Sequence, residues 1–180
     1  ERAQGGIDRL AHILTRMSEA TRLEQALADT PRERFDLAPL VAACVDGYRS
    51  AYPARRFDCS IVPQRCVDGA PELVAQMLDK LVANAVEFAT ADPIGVTLEP
   101  WHGGTRLAVS NVGPALPATM QDRLFDSMVS VRARTGDDVP HLGLGLYVVR
   151  LCAQFHGASV HADDRADHQG VVGSVVGPGT

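Results

Sequence analysis

The sequence predicts an α/β sandwich of the α+β kind, with two layers: one mixed sheet and helices packed on one of its faces, preceded by a long N-terminal helix. Three observations carry this. Residues 71–89 place Leu73, Val74, Met77, Leu78, Leu81, Val82 and Ala85 at helical spacing, so one face of a helix is buried. Residues 94–111 alternate on either side of His102-Gly103-Gly104, the pattern of a β-hairpin. Residues 144–155 form an apolar helix stopped by Gly157, followed by two short strands at 159–162 and 171–176.

Residues 1–29 read as one helix. Ile7, Leu10, Leu14, Met17 and Thr21 keep three-four spacing, and Ile13, Ala20 and Leu27 widen the stripe. So broad a stripe suits a bundle, and a second copy of the chain is the expected partner, giving a homodimer through this helix. Asp29-Thr30-Pro31 ends it, because proline restrains the preceding residue from helical angles. The domain boundary is therefore expected here, with a partial dimerisation helix at 1–30 and the main domain at 31–180. Residues 34–37 form a short strand and 39–51 an amphipathic helix presenting Leu40, Val41, Cys44, Val45 and Tyr48. Residues 57–62 alternate as a strand, and 65–67 form another. Pro71 and Glu72 suit the first turn of the helix at 71–89. Residues 112–140 hold prolines, glycines and little periodicity beyond 120–125, as expected of a mobile functional loop.

Composition narrows the function classes. Hydrophobic content of 46% can fill a core, and a net charge of −5 leaves no basic footprint for nucleic acid. No apolar run is long enough to cross a bilayer and no signal peptide is evident, so no membrane contact is expected. Cys44, Cys59, Cys66 and Cys152 show no metal-ligand spacing and read as reduced thiols. The expected location is the cytoplasm, as a soluble protein or as the cytoplasmic part of an inner-membrane protein.

The helix at 71–89 carries Lys80, Asn84 and Glu87 on one polar stripe beside its apolar face. Such a stripe is either a solvated surface or the wall of a polar pocket. Gly143 and Gly145 allow backbone to approach a ligand, and free amides at the helix start that follows favour an anion. The motif is not a Walker loop, for no Gly-Lys-Ser/Thr follows, nor a dinucleotide fingerprint, for the third glycine is missing.

In order along the chain, Val82-Ala83-Asn84-Ala85 resembles an N-box and Ser110-Asn111-Val112-Gly113-Pro114-Ala115-Leu116-Pro117 a first glycine box. Leu124-Phe125-Asp126 resembles a phenylalanine box and Gly143-Leu144-Gly145-Leu146 a second glycine box. Together they resemble the nucleotide-binding domain of bacterial sensor histidine kinases, the Bergerat-type ATP-binding fold. The resemblance implies ATP and Mg²⁺ as cofactors, with Asn84 as the Mg²⁺ ligand, a role its neutral carbonyl oxygen suits. A hydrogen bond to a loop is the alternative use of that amide. Asn111 stands where the family has an Asp that accepts from the adenine amino group, and an amide adds a donor to that acceptor. A plain turn asparagine is the alternative. Lys80, Glu87 and Phe88 on the helix, Gly113, and His141, Leu142, Gly143, Leu144, Gly145 and Leu146 complete the implied nucleotide site. Arg132 and Arg134 are either phosphate ligands or solvated loop charge. Phe125 is either a lid anchor or a core residue.

The implied enzyme is a protein-histidine kinase that passes the γ-phosphate of ATP to a histidine on a dimerisation hairpin, for relay to the receiver domain of a response regulator. No acceptor box is present. His12 is followed by Ile13-Leu14-Thr15-Arg16 rather than by an acidic residue, so this chain alone is not expected to phosphorylate itself. Ala115 replaces the second glycine of the first box. Lys80, the only lysine, stands where the kinases commonly have Asn, and Glu87 where they often have Lys or Arg. These departures keep open a second reading, a degenerate nucleotide-binding module that serves as a dimerising scaffold.

Overall fold

The computed structural model describes residues 21–22, 24–27, 29–116, 124–126, 144–167 and 169–178. The chain divides into two units, Glu1–Pro31 and Arg32–Thr180. In the first, residues 21–22 and 24–27 are helical. Thr30 closes the helix, its hydroxyl donating to the Ala26 carbonyl at 2.8 Å. The rest of the expected helix, His12 included, lies outside the described residues.

The second unit begins with β1 (Glu33–Asp36) and α1 (Leu37–Ala51). Leu37, expected at the end of the strand, instead opens the helix. The cause is Asp36, whose carboxylate accepts from the Ala38 N–H at 3.0 Å as an N-cap and from the Arg65 N–H at 3.0 Å. Pro39 then falls in the first turn, where its missing N–H removes no helical bond. Next come β2 (Phe57–Ile61), β3 (Cys66–Gly69), α2 (Pro71–Phe88), β4 (Ala91–Trp101) and β5 (Gly104–Val112). The chain ends with α3 (Leu144–Phe155), β6 (Ser159–Asp164) and β7 (Gly170–Gly177).

Five strands form the main sheet in the order β2-β4-β5-β7-β6, while β1 and β3 pair separately. β2 runs parallel to β4 and all other pairs are antiparallel, so the sheet is mixed as expected. The strands are longer than their apolar runs because pairing continues past the buried positions. The β4–β5 hairpin turns on His102 and Gly103, both at positive φ (45° and 83°), the combination of a type I′ turn.

Cross-strand partners Val96 and Val109, and Leu98 and Leu107, put four apolar side chains in the core beside Ile94. Each such burial is worth about 1.5–3 kcal/mol. Against this face lies α2, with Leu73, Val74, Met77, Leu78, Leu81, Val82 and Ala85 buried, the set expected from the spacing. Gly173 sits opposite Val109, and a Cβ there would stand 3.1 Å from Leu81 Cδ2, so the missing side chain lets the helix settle close. On α1, Tyr48 donates its hydroxyl to the Asp79 carboxylate of α2.

Ala70, the N-cap residue of α2, has no side chain able to cap the helix. Its own N–H donates to His156 Nε2 at 3.1 Å, while His156 Nδ1 lies 2.7 Å from the Cys152 carbonyl. This ring therefore joins the end of α3 to the start of α2. It rests so tightly on Gly69 that a Cβ there would overlap the imidazole. Gly69→Ala should therefore destabilise the domain by roughly 1–3 kcal/mol, as overpacking does. Gly47→Ala, on the open side of α1 with nothing near the added methyl, should stabilise it by about 0.5–1 kcal/mol. Urea denaturation of the two variants checks the opposite signs.

Candidate functional site

The C-terminal half of α2, the end of β5 and the first turn of α3 meet at one end of the sheet. The polar stripe of α2 lies here, with Lys80 and Glu87 exposed and Asn84 and Phe88 half-buried. A Cβ on Gly145 would stand 3.9 Å from Lys80 Cδ, so the lysine stem runs past the opening turn of α3. Among the described residues neither Lys80 nor Asn84 has a hydrogen-bond or ion-pair partner for its side chain. The Asn84 amide thus has no partner among the described residues.

Asn111, near the end of β5, is 6% exposed, and its Nδ2 is buried with no acceptor. An unpaired buried donor costs about 1–3 kcal/mol, so an acceptor brought to this amide would recover that cost. Gly113 is crowded: a Cβ there would lie 2.5 Å from the Phe88 carbonyl and 3.0 Å from Asn111 Nδ2. Only glycine lets the first glycine box close on the end of α2. The strand end is held by bonds from Thr90 N to Val112 O (2.9 Å) and from Gly113 N to Gln169 O (3.1 Å).

Arg55 fixes the end of α2. Its Nη2 donates to the Ala89 carbonyl at 3.0 Å and the Val86 carbonyl at 3.4 Å, and its Nη1 lies 3.8 Å from Asp92. A cation on the last carbonyls of a helix is favourable, and here it also sets where Asn84 and Phe88 point. Nothing in the sequence around Arg55 signals this, since its partners lie about thirty residues away. His156 and Asp164 were equally silent; the Asp164 carboxylate accepts from the Leu116 N–H at 3.0 Å and pins the chain after Gly113 to β6.

Phe125 and Leu124 are buried, and Asp126 pairs with Arg150 of α3. Burial of Phe125 suits either use, a lid anchor or a core residue. Cys152, on the same helix, is fully buried, and burial pushes its thiol up to about 11, so it is packing rather than a nucleophile. Next to Lys80, Asp79 faces Tyr48, whose hydroxyl is held well above its ordinary range by burial and by that carboxylate. Arg132, Arg134, His141, Leu142 and Gly143 lie outside the described residues, as does the side chain of Leu144. Leu146 is buried and Gly145 half-buried.

The residues present fit the two cofactors. The described residues contain no cluster of three or more His, Cys, Asp or Glu able to hold a metal by itself. Mg²⁺ needs no such cage, because it commonly takes one or two protein oxygens together with substrate phosphates and water. Asn84 offers one such oxygen. The orphaned donor of Asn111 suits a ligand that carries an acceptor.

Comparison with known proteins accords with this geometry. Residues 69–177 match the model of the histidine kinase-, DNA gyrase B-, and HSP90-like ATPase family. Sensor protein ChvG of Agrobacterium fabrum is 26% identical over 177 residues, covering 92% of this chain and 30% of its own length. Sensor protein CutS of Streptomyces coelicolor is 30% identical over 138 residues, covering 74% of this chain and 33% of its own. The chain thus spans about a third of these relatives. The catalytic domain of histidine kinase ThkA, in a nucleotide-free form, superposes with a TM-score of 0.69 at 24% identity, over 84% of this chain and 99% of that one. No helix among the described residues is long and apolar enough to cross a membrane. With the matched region running from the last residue of β3 through β7, both helices that wall the site included, the chain belongs to the histidine kinase-, DNA gyrase B-, and HSP90-like ATPase family, and its relatives include sensor proteins and a signal transduction histidine-protein kinase/phosphatase.

Proposed function

We propose that this chain is the ATP-binding catalytic part of a sensor histidine kinase, donating the γ-phosphate of Mg-ATP to a histidine on a dimerisation hairpin for relay to a response regulator. The observation that carries the reading is the convergence of Lys80 and Asn84, whose side chains have no partner among the described residues, with the orphaned amide of Asn111 at one end of the sheet. Purine would lie against Asn111 and Gly113. The phosphates would extend along the stripe of α2 toward the opening of α3, where free helix amides favour anions. Asn84 would hold Mg²⁺, which supplies charge neutralisation at the phosphates. Protein groups then contribute mainly by positioning and by stabilising charge. Glu87, on the same stripe, would discourage the phosphates from its end of the helix, while Lys80 attracts them to the other. Dimerisation through the unit Glu1–Pro31 belongs to the same proposal, as does a cytoplasmic location.

The orphaned Asn111 donor also favours a second reading, a scaffold that has lost tight nucleotide binding. Calorimetry separates the two, since an absence of Mg-dependent ATP binding at millimolar concentration selects the scaffold.

In Asn84→Ala, ATP affinity with Mg²⁺ should fall by about tenfold or more, near 1.4 kcal/mol, and the difference from wild type should vanish in chelator. Lys80→Ala should lose roughly 1–3 kcal/mol of ATP affinity, the range for a charge-assisted hydrogen bond, and less for ADP. Equal ATP affinity in that variant would return Lys80 to the solvated surface. Asn111→Asp should raise the ATP-over-GTP preference in competition calorimetry. A carboxylate repels the guanine 6-oxo group, whereas an amide turns a donor toward it; an unchanged ratio would remove Asn111 from base recognition.

A further inference from the structure

A second pocket lies at the opposite end of the sheet, independent of the nucleotide site. The loop between β2 and β3 and the turn between β4 and β5 enclose about 280 Å³, lined among others by Gln64, Arg65, Cys66, Trp101, His102 and Thr105. Thr105 and Asn111 are six residues apart on β5, about 20 Å of extended strand.

Four observations give this pocket a chemistry. Its lining contains an arginine and a histidine and no carboxylate, in a chain whose acidic residues outnumber its basic ones by five. The Arg65 guanidinium has no hydrogen-bond or ion-pair partner among the described residues, and its Nε is buried without an acceptor. The other arginines nearby are engaged: Arg106 pairs with Glu99 at 3.1 Å and covers one face of Trp101, 4.6 Å from the ring centroid. The buried Nε of a half-buried arginine is left without an acceptor here, and an anion brought to the guanidinium would supply one.

Trp101 is the exposed large hydrophobic residue of the described structure, at 38%. It is braced by Arg106 and by the edge of His102, with ring centroids 5.0 Å apart. Finally, Gln64 and His102, on opposite sides of the pocket, both hold positive φ, at 60° and 45°. The type I′ turn accounts for the sign at His102, yet the position favours Asn or Gly, and Gln64 has no such turn pattern to explain it. Backbone in this region costs energy for a residue with a side chain, and such positions gather where a ligand is held.

We propose that this pocket binds a small organic oxyanion, a carboxylate or phosphate ester, with the anionic group on Arg65 and the organic part against Trp101. Arginine supplies a planar fork that matches either oxyanion. The volume sits just under the range of about 300–1,000 Å³ usual for small-molecule sites, which sets the ligand near the size of a single substituted ring. Occupancy at this end leaves the nucleotide end open, so both ligands bind the same domain together.

The chain contains one tryptophan, so Trp101 emission reports on this pocket alone. Benzoate and phenyl phosphate serve as probes, titrated into the whole chain with and without saturating Mg-ATP. The expected result is a saturable change in emission at millimolar probe that persists with ATP present. The stronger of the two identifies the carboxylate or the phosphate class. In Arg65→Gln the apparent affinity should fall about tenfold or more, as for a lost charge-assisted bond. Arg65→Lys, which keeps the charge but loses the fork, should fall between. No saturable change with either probe in wild type would overturn the proposal, as would equal affinity in Arg65→Gln with its circular dichroism unchanged. Loss of the signal on adding ATP would overturn it as well, since the two ligands would then not bind the domain together.

Discussion

The domain depends on how closely α2 lies against the sheet. That approach is set where Gly173 presents no side chain to Leu81 and where Val96, Leu98, Leu107 and Val109 form a flat apolar floor. A Cβ at the glycine would press on the end of the Leu81 side chain, which would have to give by a few tenths of an ångström. Apolar burial supplies the energy, but it has no direction. Direction comes from polar contacts at the two ends of α2: His156 and Ala70 at the start, Arg55 and the last carbonyls at the finish. The stripe that faces the site is thereby held in rotation as well as in depth.

Much of this was legible in the sequence because it repeats along the chain. The seven buried positions of α2 and the alternation of β4 and β5 follow from periodicity alone, and α3 begins and ends where its apolar run and Gly157 put it. What periodicity cannot express is a contact between distant residues. Leu37 joined the helix rather than the strand because Asp36 also serves Arg65, twenty-nine positions later. The order of strands, with β2 parallel to β4 at one edge, likewise has no local signature. At the candidate site, the described residues of the motifs fall together at one end of the sheet, while the supports that fix its geometry, Arg55 and Asp164, carry no motif.

The candidate site combines a tight backbone with an uneven distribution of charge. Gly113 is confined by the Phe88 carbonyl, so β5 approaches the end of α2 closely. Asn111 presents a buried dipole with a donor left over. On α2, positive charge stands one turn before Asn84 and negative charge one turn after.

The entry of the chain into the second unit has a mechanical consequence. Arg32 grips two elements at once: the carboxylate and carbonyl of Asp68 on β3, and the carbonyl and ring face of Phe155 at the end of α3, the latter 4.9 Å from its centroid. The first residues of the second unit are therefore fastened to β3 and to the C-terminal end of α3, one residue from the imidazole that meets the start of α2, so β1 does not rely on its own ladder with β3 alone to keep its place.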